Sequence, residues 1–298
     1  MNHASIGISL ISLIPAMLLC AFVYYKDKAE KEPLGLLAIL FAAGAIFYFP
    51  ALFSELTVGG LIDSLFSSKM EFSFDGNLTY VTRIDKIAHL SLFALAVGII
   101  EEGAKWLVLY FITRKNKNFN YLFDGIVYST FVSMGFAAVE SIRYAIIDGW
   151  DTLFMRAVTS VPGHLFFGII MGYLYTVWHT YKMAENIENS MISEGKIEEK
   201  KIKGAPVLLI LSFILPVFAH LIYSFTSTYN SNIVTALFYV FVIALYIFSF
   251  INISKLSAKD TEGQKLAYAL VLKKHYNIKE NIDHLTTKFF ETEGGDNE

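Results

Sequence analysis

Residues 98–111, Gly-Ile-Ile-Glu-Glu-Gly-Ala-Lys-Trp-Leu-Val-Leu-Tyr-Phe, set the terms for the whole chain. They place Glu101, Glu102 and Lys105 inside an apolar run long enough to cross a bilayer. Near the centre of a membrane helix a carboxylate or ammonium costs about 2.5 to 3.5 kcal/mol even on the mildest insertion scale. Three such groups within little more than one helical turn therefore need partners, a chemical task, or both.

The surrounding sequence supplies a membrane. Of 298 residues, 55% are hydrophobic and only 17% charged, too apolar for an ordinary soluble domain. Runs of about 20 apolar residues predict seven spans, near 5–25, 34–56, 87–113, 122–147, 157–181, 206–228 and 232–254. Lysine and arginine cluster after the first, third, fifth and seventh of these, and the other side carries only Lys69, Arg83, Lys86 and Arg156. The positive-inside rule then puts the N-terminus outside and the C-terminus in the cytoplasm. The expected fold is an all-α polytopic helix bundle over residues 1–254, with an external loop at 57–86, a cytoplasmic loop at 182–205 and a polar cytoplasmic tail at 255–298. The first run reads as a span rather than a signal peptide, because no lysine or arginine precedes it.

Several function classes drop out. Cys20 is the only cysteine, so neither an internal disulfide nor a thiolate metal cluster is available. A net charge of −3 and lysines scattered in short segments give no basic groove for nucleic acid. No internal repeat or matched pair of broken helices suggests an inverted-repeat transporter. The last span, 233–254, has no lysine to form a retinal Schiff base.

Further polar groups lie deep in later spans: Glu140 and Arg143 in the fourth, His164 in the fifth and His220 in the sixth. Counting about 1.5 Å per residue, Glu140, His164 and His220 each sit about 10 Å below the outer surface, with Glu101 and Glu102 nearer the midplane. Helical spacing gives each a small or polar stripe: Ser129, Ser133, Ala137, Glu140; His164, Gly168, Gly172; and Ser212, Pro216, His220, Ser224. Three such stripes predict a shared interior. Within the third span, the i,i+4 preference pairs Lys105 with Glu101 and leaves Glu102 to face the cavity. His89 and His179 fall near span ends and His3, His275 and His284 outside the membrane, so none joins this set. Asp124, at the cytoplasmic start of the fourth span, is a candidate N-cap or supporting residue.

Two carboxylates, a lysine, a third carboxylate and two histidines at compatible depth can activate water and polarise a carbonyl. Glu102 or Glu101 serves as base, His164 as acid or base, His220 as oxyanion donor, and Glu140 holds a histidine tautomer. The same groups can bind zinc through His164, His220 and Glu102, although no His-Glu-x-x-His motif compels a metal, so the cofactor is either none or Zn. Non-enzymatic alternatives are a membrane receptor or scaffold, or a proton-coupled carrier running on the Glu-His cluster.

In order and spacing, Lys31-Glu32-Pro33, Glu101-Glu102-x-x-Lys105, Phe123-Asp124-Gly125-Ile126-Val127-Tyr128, Gly135-Phe136-Ala137-Ala138-Val139-Glu140, Ser160-Val161-Pro162-Gly163-His164 and Ala219-His220 resemble the PrsW family of intramembrane proteases. That family is itself similar in its motifs to the CAAX-protease and bacteriocin-processing group. Ser129 and Ser133 stand where the pattern leads one to expect glycine, and Ser141 where it leads one to expect asparagine. The resemblance implies a bacterial plasma-membrane protease that cuts a membrane-anchored protein, typically an anti-sigma factor, near the external face.

Overall fold

A computed structural model describes residues 3–72 and 78–276. The turn signal Asp75-Gly76-Asn77 and the tail beyond Tyr276 lie outside the described residues. The elements are α1 (His3–Lys26), α2 (Leu34–Phe66), a 3-10 turn (Ser67–Lys69), β1 (Met70–Phe72), β2 (Leu78–Tyr80), α3 (Arg83–Thr113), α4 (Asp124–Asp148), α5 (Trp150–Val158), α6 (Ser160–Ser193), α7 (Pro206–Thr228), α8 (Asn232–Ala258) and α9 (Gly263–Tyr276). Among the described residues, six helical segments are long and apolar enough to cross a membrane. Five are the single helices α1, α2, α4, α7 and α8, and the sixth runs from Trp150 to Ser193. α3 is 31 residues long and sits among them; Glu101, Glu102 and Lys105 are the charges in its middle. The chain is thus an all-α polytopic bundle.

α4 occupies the centre, packed against α6, α2 and α1, while α3 lies between α2 and α7. Lipid tails are as apolar as leucine, so helices in a membrane associate through close fit rather than through hydrophobic burial. The small residues read from the sequence supply that fit. A Cβ on Gly172 of α6 would lie 2.2 Å from the Gly125 carbonyl oxygen, and one on Gly135 would lie 2.0 Å from that of Phe41 on α2. Ser129, one of the departures from the family pattern, donates its hydroxyl to the Gly168 carbonyl at 2.7 Å and so ties α4 to α6. The outer faces of α2 and α8 carry exposed Ile39, Phe49, Phe53, Val240 and Ile247, a surface suited to lipid.

The ends of the bundle differ. At one, α2 runs ten residues past its expected end at 56, and a short antiparallel hairpin pairs Met70 with Tyr80. His89 holds this end together: Nε2 lies 2.9 Å from Asp63 and Nδ1 lies 2.9 Å from the Tyr80 hydroxyl. α5, absent from the sequence reading, sits at the same end as a separate nine-residue helix before α6. The opposite, lysine-rich end is where α6 projects beyond the expected span as one continuous helix to Ser193. Its Ala184 and Met191 pack with Ile202 and with Ala267 and Val271 of α9, so the segments expected to be solvated share a small core. Backbone bonds from Leu122 to Thr261 and from Gly263 to Asn120 fasten the α8–α9 link to the start of α4.

Candidate active site

The polar side chains predicted to converge do so. Lys105, wholly buried, directs its ammonium to Glu102 at 2.7 Å, to Glu101 at 3.5 Å and to His164 Nδ1 at 2.8 Å. Its Nζ also lies 4.5 Å from the centre of the Phe136 ring. An ammonium has only donors, so His164 Nδ1 accepts and its proton resides on Nε2. That Nε2 donates to Glu140 at 2.8 Å. His220 Nδ1 lies 2.8 Å from Glu102, a carboxylate acceptor, so the Nδ1 carries the hydrogen and the Nε2 lone pair is left bare, 3.9 Å from Glu101. Phe167 stacks on the His220 ring at 4.9 Å and fixes its plane.

One expectation fails here. Glu102, rather than Glu101, makes the short bond to Lys105, and it is Glu101 that lines the cavity. The i,i+4 preference is worth a few tenths of a kcal/mol. It yields to the charge-assisted bond that Glu102 makes across helices to His220.

The cavity, about 350 Å³, lies between α2, α3, α4, α5, α6 and α7. Glu101, Glu140, His164, His220 and Arg143 line it, as do two residues that the sequence reading did not select, Glu55 and Arg156. Arg156 reaches in from α5, with Nη2 2.6 Å from Glu140 and Nε donating to Ser141 at 3.3 Å. Glu140 is therefore clamped between an arginine and a histidine. Glu55 faces Glu101 from α2, and its Oε1 is buried without a protein partner. A signal existed for Glu55, an acid in the last turn of an apolar run, but there it reads as interfacial. Arg156 gave no signal beyond its charge. Arg143 stands at the cavity wall, its guanidinium 5.1 Å from the Tyr144 ring centre.

Asp124 is elsewhere. It lies at the other end of α4, 16 residues or about 24 Å along the helix from Glu140. Instead of capping α4, its Oδ2 accepts the N–H groups of Asn120 and Tyr121, which precede it.

Two sets of donors stand within 4.8 Å of one another: Glu101, Glu102 and His220, and Glu101, Glu140 and His164. The first fits a metal ion better. His220 Nε2 keeps a lone pair and Glu102 Oε2 is buried with no partner, whereas both His164 nitrogens and the Glu140 Oε2 are committed. Nitrogen with carboxylate oxygen is a donor set that zinc accepts. The expected shell of His164, His220 and Glu102 is thus divided between the two sets.

The profile of the PrsW family intramembrane metalloprotease matches residues 32–251. The chain belongs to the PrsW family. Its PrsW relatives include a Protease PrsW of Oceanobacillus iheyensis, 30% identical over 78% of this chain and 91% of that protein. Another, from Geobacillus kaustophilus, is 30% identical over 72% and 78%. A third, from Bacillus subtilis, is 28% identical over 74% and 82%. No solved structure matches it. The matched region carries every polar residue of the cavity, from Glu55 on α2 to Thr228 on α7. This PrsW-family chain is accordingly an intramembrane protease.

Proposed function

We propose that the enzyme hydrolyses a peptide bond of a membrane-anchored bacterial protein inside the cavity lined by Glu101, His164 and His220. The observation that carries this reading is the bare His220 Nε2 lying 3.9 Å from Glu101 on the wall of a 350 Å³ polar cavity within an apolar bundle. The lysine-rich end faces the cytoplasm by the positive-inside rule, which puts the cavity toward the outer face of the bacterial plasma membrane. An anti-sigma factor cut on that side is the substrate class that the family resemblance favours.

Glu101 orients the attacking water and takes its proton as the water oxygen bonds to the carbonyl carbon. It then returns that proton to the amine nitrogen as the C–N bond breaks, so one water is consumed per bond. Glu102 holds the His220 ring through Nδ1 and keeps Nε2 aimed inward, as an acceptor rather than the oxyanion donor expected from the sequence. Lys105 offsets the paired carboxylates and, through His164, is linked to Glu140 and Arg156, so the site is braced from four helices. A zinc ion, if held by Glu101, Glu102 and His220, would supply Lewis acidity and a bound water of lowered pKa.

The test is cleavage of a single-span reporter by the purified enzyme in proteoliposomes, with metal content measured before and after chelation. Glu101→Ala, Glu102→Ala, His164→Ala and His220→Ala each abolish cleavage while the protein is still inserted. Cleavage retained in all four variants overturns the site assignment. Loss of activity with the metal, restored by zinc, selects the metal-assisted form, and activity at zero metal occupancy selects the metal-free form.

A further inference from the structure

A second group of buried acids lies at the lysine-rich end, away from the cavity. Asp27 follows α1, Glu32 precedes α2, Asp124 opens α4 and Asp260 lies between α8 and α9. These are the acids of Lys31-Glu32-Pro33 and Phe123-Asp124-Gly125, two motifs the cavity does not use, with two acids beside them. Asp27 and Asp124 have 0% exposure and Glu32 has 3%. Both Asp27 carboxylate oxygens, Asp124 Oδ1 and Asp260 Oδ2 are buried and accept no well-formed hydrogen bond from a protein donor. Glu32 and Asp124 face each other at hydrogen-bonding range, and Asp27 lies within electrostatic reach of both Glu32 and Asp260.

The protein balances these four carboxyl groups only in part: the Glu32 N–H and the Lys31 charge act on Asp27, and the N–H groups of Leu122 and Thr261 act with that of Phe123 on Asp260. The Lys31 ammonium reaches Asp27 by charge alone, its hydrogen bonds going to the backbone carbonyls of Tyr24 and Asp27. Tyr128 donates its hydroxyl to Glu32 at 2.6 Å, and Asp260 Oδ1 accepts the N–H of Phe123 at 2.9 Å. Glu30 turns outward to Asn120. A buried anion left in this condition needs either a proton or a cation.

We propose that this cluster binds one hydrated divalent cation of the magnesium type, with Glu32 and Asp124 as direct ligands and Asp27 and Asp260 reached through the ion's water shell. Spacing selects the ion class. Both sets of three donors that stand within 4.8 Å of one another among the described residues lie in the cavity. Among the described residues no three acids at this end meet that spacing, so a site here has at most the Glu32–Asp124 pair as direct ligands. Calcium takes six to eight oxygens in a close cage, whereas magnesium keeps several waters and needs only one or two carboxylates. Such an ion joins the α1–α2 link, the start of α4 and the α8–α9 link, three segments held to one another by the Phe123–Asp260 and Ser257–Lys26 hydrogen bonds.

The experiment uses the full-length protein in detergent at pH 7.5, stripped with chelator and titrated with magnesium chloride at constant ionic strength, with thermal unfolding as the readout. Binding only to the folded state raises the midpoint by about 5 to 11 °C at a hundredfold excess over the dissociation constant. Asp27→Asn with Glu32→Gln removes that response. In chelator the same variant melts above the wild type, because the repulsion is gone, a gain that a merely misfolded variant does not show. Glu101→Gln, in the cavity, keeps the magnesium response and so separates this site from the proposed catalytic one. No magnesium-dependent shift in the wild type, an equal shift in the amide variant, or the same effect from sodium alone overturns the proposal. So does stabilisation by acid in chelator with none from magnesium, which assigns the cluster to protons.

Discussion

Replacing Lys105 with methionine is the most informative single change. The side chain keeps an unbranched apolar stem but loses an ammonium 2.7 Å from Glu102 and 3.5 Å from Glu101. With an effective dielectric of about 20, the two attractions are about 6 and 5 kcal/mol. Much of that offsets the desolvation of three charges, so the net loss on removing one partner of a buried pair is about 3 to 5 kcal/mol. With about 2 to 4 °C per kcal/mol, the unfolding midpoint in detergent falls by about 6 to 20 °C. Cleavage is lost as well, because His164 Nδ1 loses its donor and the ring is free to change tautomer. The discriminating measurement is a double-mutant cycle with Glu102→Gln. Once the carboxylate is also neutral, the lysine has less to balance, and the pair of changes costs at least 1 kcal/mol less than the sum of the single ones. Strict additivity, or a midpoint within 2 °C of wild type for Lys105→Met, would refute the reasoning.

Other perturbations follow from the same geometry. Arg156→Gln releases Glu140 and through it His164, and lowers kcat/KM by about 10- to 100-fold, the usual cost of losing a group that orients an active-site ligand; unaltered kinetics would deny the arginine any part in positioning His164. Gly172→Val drives a side chain into the Gly125 carbonyl and destabilises the α4–α6 contact by about 1 to 3 kcal/mol, read as a lowered unfolding midpoint. At the lysine-rich end, burial pushes the Glu32 carboxyl up to about 7 and Asp260 up to about 6. The folded state therefore holds protons there that the unfolded chain releases. In chelator, stability falls as pH rises from the ordinary carboxylate range, near 4.5 for glutamate, to about 7. Glu32→Gln flattens that slope in a midpoint-against-pH series, and an unchanged slope would remove the cluster from the titration.

The parts of the site that were legible in the sequence are those where one helix reports on itself. Periodicity alone aligned Ser129, Ser133 and Glu140 on α4, and His164, Gly168 and Gly172 on α6, because a 3.6-residue repeat fixes which side chains share a face. Depth, counted along each helix, brought Glu140, His164 and His220 to one level. What escaped depends on relations between helices. Glu55 reads as an interfacial acid if α2 stops at 56, and becomes a cavity residue because α2 continues to Phe66 against α3. Arg156 enters the site only because Gly149, at φ 85°, turns the chain into α5 and aims that helix back at Glu140. The exchange of roles between Glu101 and Glu102 has the same origin, since a bond to His220, 118 residues away, outweighs a local preference.

α6 has a consequence of another kind. His164 lies in its first turns, and Glu188, toward its far end, accepts the backbone N–H groups of Lys201 and Ile202 and pairs with His275 on α9 at 2.6 Å. Between those two residues runs a single α-helical rod of about 36 Å with no loop in it. The contact with α9 and the imidazole of the cavity are therefore carried on one rigid element, at its two ends. The last helix of the described chain is thus anchored to the same helix that carries His164 into the cavity, although no residue of α9 lines that cavity.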